Sequence, residues 1–230
     1  SESLLRAGAK IILVDNNEKE LLKIKLKFQK LKLKPLIFNC DITKPDELLD
    51  LKNFFLKNFN HIDILVNNAG VTYGHELLNY PNDLWENTYK VNLKAPFELS
   101  KIFGKIMKKQ KSGIIINITS INSELAFPNN PAYVSFKGAL KQLTKSLALD
   151  LGKYGIRVNN VGPGYIRTNM TKKSWENKSR RKMIENKTIL GRWGTPNDLS
   201  GIIVFLSSNA SSYITGQDFY VDGGWLSKGL

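Results

Sequence analysis

The chain has 230 residues, of which 42% are hydrophobic, and it carries a formal net charge of +14. This length and apolar content suffice for one domain with a substantial core, and no run approaches the roughly 20 apolar residues that span a bilayer. We therefore predict a single soluble domain, residues 1–230, with no membrane partner. The lone cysteine, Cys40, excludes an intrachain disulfide, and the N-terminus lacks a signal-peptide pattern; both favour the cytoplasm.

Taken in chain order, short apolar runs alternate with amphipathic helical patterns. This alternation predicts a doubly wound α/β fold, in which helices cover both faces of a parallel sheet. Strands are predicted near Lys10–Val14, Pro35–Asn39, Ile62–Val66, Gly113–Thr119, Arg157–Val161 and Asp218–Val221. Helices are predicted near Glu18–Leu31, Pro45–Phe59, Asp83–Lys109, Ala132–Lys153 and Pro196–Ser207.

The excess positive charge raises the question of a nucleic-acid partner. Its distribution argues against one, because the lysines recur in the stretches 19–34, 101–111 and 172–182 between apolar residues at helical spacing. That pattern is typical of the solvated faces of amphipathic helices. We predict that the protein binds no nucleic acid.

One pair of side chains suggests proton transfer. Tyr133 and Lys137 are four residues apart in a predicted helix and so share one face, with Ser120 thirteen residues upstream. A cation within about 4–6 Å of a phenol favours the phenolate, so we expect the pKa of Tyr133 to fall toward neutrality. Taken alone, Tyr-x-x-x-Lys is a weak pattern that also fits a tyrosine at a helix boundary beside a solvated lysine.

The pair belongs to an ordered set of motifs. Ser120 closes an apolar run, Asn92 lies in Val91-Asn92-Leu93, and the remaining motifs are Asn67-Asn68-Ala69-Gly70, Pro163-Gly164, Ile214-Thr215-Gly216-Gln217 and Val221-Asp222-Gly223-Gly224. With these motifs in this order, the chain resembles the short-chain dehydrogenase/reductase family over essentially its whole length. The resemblance implies a Rossmann-like fold and hydride transfer between a nicotinamide cofactor and a substrate carbon, without a metal.

The resemblance also implies a role for each matching residue. Tyr133 would move the proton, Lys137 would bind the nicotinamide ribose, Ser120 would hold the substrate oxygen, and Asn92 would anchor a water in a proton relay. The alternatives are a strand-end hydroxyl for Ser120 and a helix-kink or packing amide for Asn92. The cofactor-binding positions implied, besides Asn92, Tyr133 and Lys137, are Asp41 and Ile42 at the adenine, Asn67, Ala69 and Gly70 along the adenosine, and Pro163, Gly164, Ile166 and Thr168 around the nicotinamide.

Asp15 bears on the choice of cofactor. It ends the first predicted strand and is followed by Asn16-Asn17 rather than by a basic residue. In a nucleotide-binding βαβ unit, a carboxylate there accepts hydrogen bonds from the ribose 2′-hydroxyl and repels a 2′-phosphate. The sequence therefore favours NAD over NADP. The alternative is an aspartate that caps the next helix, a role that Asn16 could take instead.

The chain departs from the family pattern at its start. A family member begins with a strand and a glycine-rich turn that binds pyrophosphate, and neither is present here. Ser1–Gly8 is predicted to be the tail of the first helix, with Gly8 as its C-terminal cap. The absent strand would lie between Ile11–Val14 and Ile62–Val66, which are expected to have unpaired edges or to pair with each other. We predict an N-terminally truncated form of a longer enzyme.

Substrate specificity is expected in Arg167–Arg192, which we call the basic segment. Its charges suggest a lid that attracts an anionic substrate, and a mobile amphipathic segment is the alternative. Three segments are similar in sequence to the gluconate 5-dehydrogenase-like members of the family, which interconvert a sugar acid and its keto form. They are Tyr165–Thr171, Arg192–Gly194 and Asp222–Trp225. A sugar-acid or polyol substrate is therefore predicted.

Two other functions remain open. A 3-oxoacyl-[acyl-carrier-protein] reductase shares these motifs, although its customary NADPH preference fits Asp15 poorly. A non-catalytic binding protein with the same fold is the alternative of another class, suggested by the missing phosphate-binding turn. The resemblance further implies a homo-oligomer, a tetramer or dimer, formed through Asp83–Lys109, Ala132–Lys153 and Gly216–Leu230.

Overall fold

The computed structural model describes residues 1–228; Gly229 and Leu230, the end of the segment predicted to contact other subunits, lie outside the described residues. Six parallel strands alternate with helices, as predicted. The strands are β1 (Ile12–Asp15), β2 (Leu36–Asn39), β3 (Ile64–Asn67), β4 (Gly113–Ile118), β5 (Ile156–Pro163) and β6 (Asp218–Val221). The helices are α1 (Glu2–Arg6), α2 (Glu18–Lys30), α3 (Pro45–Asn58), α4 (Asn82–Tyr89), α5 (Ala95–Gln110), α6 (Pro131–Gly152), α7 (Lys172–Glu176), α8 (Lys178–Lys187) and α9 (Ser200–Leu206).

The strands form two sheets rather than one. β1 pairs with β2, and a separate sheet has the order β3-β4-β5-β6. Within residues 1–228, β1 and β3 do not hydrogen bond to each other. Of the two alternatives predicted for these strands, the structure has the unpaired edges.

One apolar core holds the two sheets together. On one face of the larger sheet, Ile115 and Val158 are fully buried with Phe103 of α5 and Phe55 of α3. Ile12, Val14 and Phe38 of the smaller sheet pack against the same cluster. On the opposite face, Ile116 and Val161 pack against Leu206 of α9. Because consecutive strand residues point to opposite faces, the apolar run in β4 buries both, as a doubly wound sheet requires.

The helix predicted over Asp83–Lys109 is present, but it contains a π-helical turn that the sequence analysis did not predict. The chain forms α4, then a π-helical turn at Lys90–Lys94, and then α5. Pro96 has no backbone N–H, so it cannot donate the helical hydrogen bond to residue 92. The resulting wide turn contains Asn92, whose side chain bonds to the backbone of Val71 instead.

Smaller differences have local causes. The helix predicted over Pro196–Ser207 begins as a 3-10 turn at Pro196–Leu199, where Thr195 and Asp198 form a capping box, before α9 follows. Gly8 has a φ of 91° and lies one position after the cap residue Ala7, so it ends α1 much as predicted. Among the helices of residues 1–228, none combines the length and the apolar character needed to cross a bilayer.

Candidate active site

The candidate site lies where β4 ends and α6 begins. Ser120 follows β4 and caps a short 3-10 turn at Ile121–Ser123. Its hydroxyl accepts a hydrogen bond from the Asn122 backbone N–H at 3.1 Å and donates to Asn122 Oδ1 at 3.2 Å. The side chain is 6% exposed, so the surrounding fold determines its orientation.

Tyr133 and Lys137 lie in the first turns of α6, on the face that the helical spacing predicts. The Lys137 ammonium nitrogen lies 5.8 Å from the centre of the Tyr133 ring and donates to the Ile118 carbonyl at 2.7 Å. Lys137 is only 3% exposed. An ammonium has three N–H donors, and this is its one hydrogen bond within residues 1–228, so two donors are available to a ligand.

The pKa of the tyrosine differs from the prediction. Burial raises the pKa of Tyr133 above its ordinary value, although interaction with the Ser120 side chain opposes the rise. The expected lowering by Lys137 is therefore wrong. The cause is that burial disfavours the phenolate, and it equally disfavours the ammonium, lowering the pKa of Lys137 to about 8.

Asn92 joins this group from the π-helical turn. Its side chain is fully buried and bonds to Val71 in both directions, accepting from the backbone N–H at 2.9 Å and donating to the carbonyl at 2.8 Å. A Cβ on Gly70 would lie 3.5 Å from Asn92 Oδ1 and 3.6 Å from Lys137 Nζ. The glycine therefore leaves space beside both polar atoms, and a larger residue there would fill it.

A chain of hydrogen bonds runs beneath the candidate site, from β3 to β6. Asn67 Nδ2 donates to Asn117 Oδ1 at 2.7 Å, and Asn117 Nδ2 donates to Thr144 Oγ1 at 2.7 Å. Thr144 Oγ1 then lies 2.6 Å from Asn160 Oδ1, and Asn160 Nδ2 donates to Asp218 Oδ1 at 2.7 Å. We call these five residues the polar chain. Each donor points toward the carboxylate at its end, so the buried amides are mutually oriented.

The residues predicted at the adenosine lie along the carboxyl ends of β1, β2 and β3. Asp15 is exposed, and its Oδ1 accepts from the Asn17 backbone N–H at 2.9 Å. The cap of α2 is Asn17, which accepts from the Glu20 N–H, so the alternative cap role suggested for Asn16 is wrong. Asp41 Oδ1 accepts from the hydroxyl and backbone N–H of Thr43.

The surroundings of Asp41 lower the pKa of its carboxyl. Burial acts to raise the pKa of its carboxyl, but the Thr43 hydrogen bonds and nearby Lys44 lower it below the usual value. Its neighbour Ile42 lines a cavity of about 260 Å³ between the segment after β2, helix α3, the π-helical turn and α5. Tyr133, Lys137 and Ser120 are not among the residues lining this cavity.

The residues predicted at the nicotinamide follow β5. Pro163 ends the strand, and the Gly164 N–H donates to the Val221 carbonyl at 3.0 Å. Ile166 is 7% exposed and forms a bridge with Gly194. Thr168 is exposed, and its N–H donates to Thr171 Oγ1 at 3.0 Å. These four positions line the same sheet edge as Ser120 because β4 and β5 are parallel neighbours.

The donor set fits a nicotinamide dinucleotide. Asn67 Oδ1 is buried and has no hydrogen-bond partner among residues 1–228. Lys137 has two spare N–H donors, and Gly70 leaves open space beside Lys137 and Asn92. A cation with spare donors beside a surface free of side chains suits a ribose and the backbone next to it.

The basic segment is ordered by aromatic side chains. Trp193 is 2% exposed, and its ring centre lies 5.6 Å from that of Trp175 and 5.5 Å from that of Tyr165. Two guanidinium groups lie over Trp175, those of Arg167 at 4.6 Å and Arg181 at 5.1 Å. The segment forms helices α7 and α8, which the sequence analysis did not predict.

Some residues of the site escaped the sequence analysis. Asn122 holds Ser120, the Ile118 carbonyl holds Lys137, and Asn117 with Thr144 supports Asn67. The signal available in the sequence was an amide or hydroxyl inside an apolar run, as in Ile114–Thr119. Such a residue needs a buried partner, but only the fold shows which one.

Comparison with known proteins gives consistent results. A family model described as enoyl-(acyl carrier protein) reductase matches residues 1–226. The chain is 35% identical over 224 residues to gluconate 5-dehydrogenase of Gluconobacter oxydans, covering 97% of this chain and 88% of that protein. It is 40% identical over 191 residues to 2-dehydro-3-deoxy-D-gluconate 5-dehydrogenase of Bacillus subtilis, covering 83% and 75%.

A solved structure also superposes closely. The crystal structure of a gluconate 5-dehydrogenase from Burkholderia cenocepacia in complex with NADP and tartrate matches with a TM-score of 0.94. It is 32% identical in sequence, and the match covers 99% of this chain and 89% of that one.

Proposed function

The chain belongs to the short-chain dehydrogenase/reductase family, and from this premise we propose that Ser120, Tyr133 and Lys137 carry out its oxidoreductase chemistry. The reaction is an NAD(P)-dependent interconversion of a secondary alcohol and a ketone. The observation that supports these roles best is that Lys137 lies beside Asn92 and Tyr133, and that Tyr133 in turn interacts with the Ser120 side chain. A scaffold without turnover has no need of a buried ammonium there.

Each side chain has a defined task in this proposal. Tyr133 donates a proton to the substrate oxygen during reduction and removes it during oxidation. The Ser120 hydroxyl, held by Asn122, hydrogen bonds to that oxygen as negative charge develops on it. Lys137 returns a proton to Tyr133, and its pKa of about 8 suits exchange near neutral pH. Asn92 positions a water toward Lys137.

The nicotinamide ring, when bound, supplies or accepts the hydride. The spare donors of Lys137 bind its ribose, and Asn67, Ala69 and Gly70 line the adenosine side. Pro163, Gly164, Ile166 and Thr168 surround the nicotinamide, and Asp41 with Ile42 flanks the adenine. With these residues the chain would hold the nicotinamide at the carboxyl ends of β4 and β5, on the side of Ser120 and Tyr133.

We propose NAD as the preferred cofactor. The Asp15 carboxylate is exposed at the carboxyl end of β1 and is not ion-paired within the part of the chain that the structure describes. Such a carboxylate accepts from a ribose 2′-hydroxyl and repels a 2′-phosphate. The Burkholderia relative was crystallised with NADP, so the preference needs a direct test.

That test is a charge exchange at the end of β1. The double variant Asp15→Ala, Asn16→Arg should shift the ratio of kcat/KM for NAD over NADP toward NADP by roughly tenfold or more, because a repulsive carboxylate is replaced by a guanidinium. The ratio is measured with one substrate and both cofactors. An unchanged ratio would remove Asp15 from the ribose site.

We propose a sugar acid as the substrate. The relatives named gluconate 5-dehydrogenase and 2-dehydro-3-deoxy-D-gluconate 5-dehydrogenase act on such compounds, and they align over most of this chain. The other predicted substrate, a polyol, has no carboxylate and is therefore the uncharged alternative to the sugar acid. The description of the matching family model names an enoyl reductase, which reduces a carbon–carbon double bond. The full-length likeness to sugar-acid enzymes is the more specific finding.

The proposal is tested by following the absorbance of the reduced cofactor with three probes. D-Gluconate with NAD should give reduced cofactor, and 5-keto-D-gluconate should consume it. Acetoacetyl-coenzyme A tests the alternative of a 3-oxoacyl-[acyl-carrier-protein] reductase. Turnover of the thioester alone would favour that alternative, and turnover of neither class would favour the non-catalytic binding protein.

Two further proposals concern the setting of the enzyme. Leu149 of α6 is 83% exposed and Phe97 of α5 is 41% exposed, which supports a homo-oligomer formed through these helices. A buried free thiol at Cys40, whose pKa burial raises to about 11, suits a cytoplasmic protein.

A further inference from the structure

Most cations of the basic segment already have a partner or lie in solvent. Arg181 pairs with Glu185 and Arg192 with Asp198, while Lys172 faces Glu176. Arg167 lies over Trp175. The remaining lysines, Lys173, Lys178, Lys182 and Lys187, are exposed. Their charges are therefore neutralised or hydrated.

Arg180 differs from its neighbours. Its guanidinium carbon lies 5.5 Å from the centre of the Phe127 ring, and its Nε is shut off from solvent without a hydrogen-bond partner in residues 1–228. No carboxylate of the described chain lies within ion-pairing distance of it. The guanidinium is therefore a cation without an ion-pair partner, and a carboxylate is the group that its planar geometry fits best.

Arg180 contacts the loop that connects two of the proposed catalytic residues. Phe127 belongs to the loop that joins Ser120 to Tyr133. Arg180 also acts on Tyr165, which follows β5: burial raises the pKa of that phenol, and the charge of Arg180 opposes the rise. The guanidinium therefore lies between the loops that follow β4 and β5, the two neighbouring strands at the active-site edge.

We propose that Arg180 binds the carboxylate of the substrate and makes the enzyme selective for a sugar acid over the neutral polyol. This inference rests on the proposed function. The carboxylate accepts from the two terminal nitrogens, which have no hydrogen-bond partner within residues 1–228, an arrangement that only a guanidinium offers. Stacking on Phe127 holds the guanidinium of Arg180 in place before the substrate binds, so little side-chain freedom is lost on binding.

The test compares a charged and an uncharged substrate in three variants. Arg180→Met keeps an apolar side chain over Phe127 but removes the charge. Arg180→Lys keeps a positive charge without the planar guanidinium. Arg181→Met is the control on the same helix. The measured quantity is kcat/KM for D-gluconate and for D-sorbitol. Thermal unfolding of each variant shows whether it is folded.

Arg180→Met should lower kcat/KM for D-gluconate by about 10- to 100-fold, the effect of losing charged hydrogen bonds, mainly through KM. Its value for D-sorbitol should stay close to that of the wild type. Arg180→Lys should fall between the two for D-gluconate, and Arg181→Met should change neither substrate. An equal loss on both substrates, or an equal effect of Arg181→Met, would overturn the inference.

A second readout separates this inference from the proposed function. If the wild type oxidises neither substrate, the proposed function fails, and calorimetric titration with D-gluconate in the presence of NAD decides the role of Arg180. Binding that Arg180→Met weakens would support a carboxylate site at Arg180. Absence of binding to the wild type, or equal binding to both proteins, would contradict it.

Discussion

The Ser120–Lys137 region and the basic segment follow neighbouring strands, but the first holds a buried charged side chain whereas the second holds exposed ones. Lys137 is 3% exposed and bonded to a backbone carbonyl, whereas the Lys172 and Glu176 side chains are 66% and 60% exposed. Proton transfer needs groups held in one geometry away from water. The charges of Lys172 and Glu176 lie in water, where they can be changed without disturbing the core.

The most severe test of this difference is Tyr133→Phe. Removing the hydroxyl should lower kcat by about 10²- to 10⁴-fold, because a positioned acid/base group contributes that much to the rate. Cofactor binding should stay nearly intact. Steady-state turnover and cofactor titration measure the two effects. Tyr154→Phe is the control, since that tyrosine lies after the end of α6 among Lys108 and Lys153. Retained turnover in Tyr133→Phe would remove the residue from its proposed role.

The buried region should also be the more sensitive in stability. Thr144→Val keeps the shape of the side chain but leaves Asn117 Nδ2 and Asn160 Oδ1 without this partner in the polar chain. We expect the free energy of unfolding to fall by about 2–4 kcal/mol, the cost of two unsatisfied buried groups. Urea denaturation measures the loss. Thr144→Ser, which retains the hydroxyl, should lose clearly less, and equal losses would show that packing alone is responsible.

The burial of Lys137 should make the stability of the protein depend on pH. Its pKa is lowered to about 8 in the folded protein, against 10.5 as the reference value. Between these pH values the unfolded chain binds more protons, so the contribution of Lys137 to stability rises with pH and is lost as pH falls through about 8.

The measurement compares wild type with Lys137→Met. The free energy of unfolding of the wild type relative to the variant should increase over that interval, with a slope of up to about 1.4 kcal/mol per pH unit. A difference that does not vary with pH would mean that Lys137 is not desolvated.

The smallest effect is expected in the basic segment. Glu176→Gln removes the partner of an exposed lysine four residues away, and such pairs contribute little because water screens them. The free energy of unfolding should change by less than about 0.5 kcal/mol in urea denaturation. A loss comparable to that of Thr144→Val would erase the distinction between the two regions.

The sequence predicted the two regions unequally. The six strands and the helix with Tyr133 and Lys137 were predicted correctly, because apolar periodicity and a four-residue spacing are local properties. The Tyr133 pKa was predicted in the wrong direction, since its burial depends on the whole fold. The helices of the basic segment were missed because Trp175, Trp193 and Tyr165 pack together only in three dimensions.

The unpaired amide oxygen of Asn67 and the isolated Nε of Arg180 were equally beyond the sequence. The motifs identified the residue types, but hydrogen bonds from distant strands and loops determine which atoms remain available. Asp15 shows the same limit, since its place at the strand end was predicted whereas the capping by Asn17 was not. The roles of these site residues remain predictions.

Isotope transfer tests the proposed chemistry most directly. The protein is incubated with NAD and D-gluconate deuterated at the carbinol carbon to be oxidised, and the reduced cofactor is analysed by mass spectrometry. Direct hydride transfer with Tyr133 as the base predicts deuterium in the reduced cofactor for the wild type and almost none formed by Tyr133→Phe in the same time. Reduced cofactor without deuterium, or equal labelling by both proteins, would contradict it.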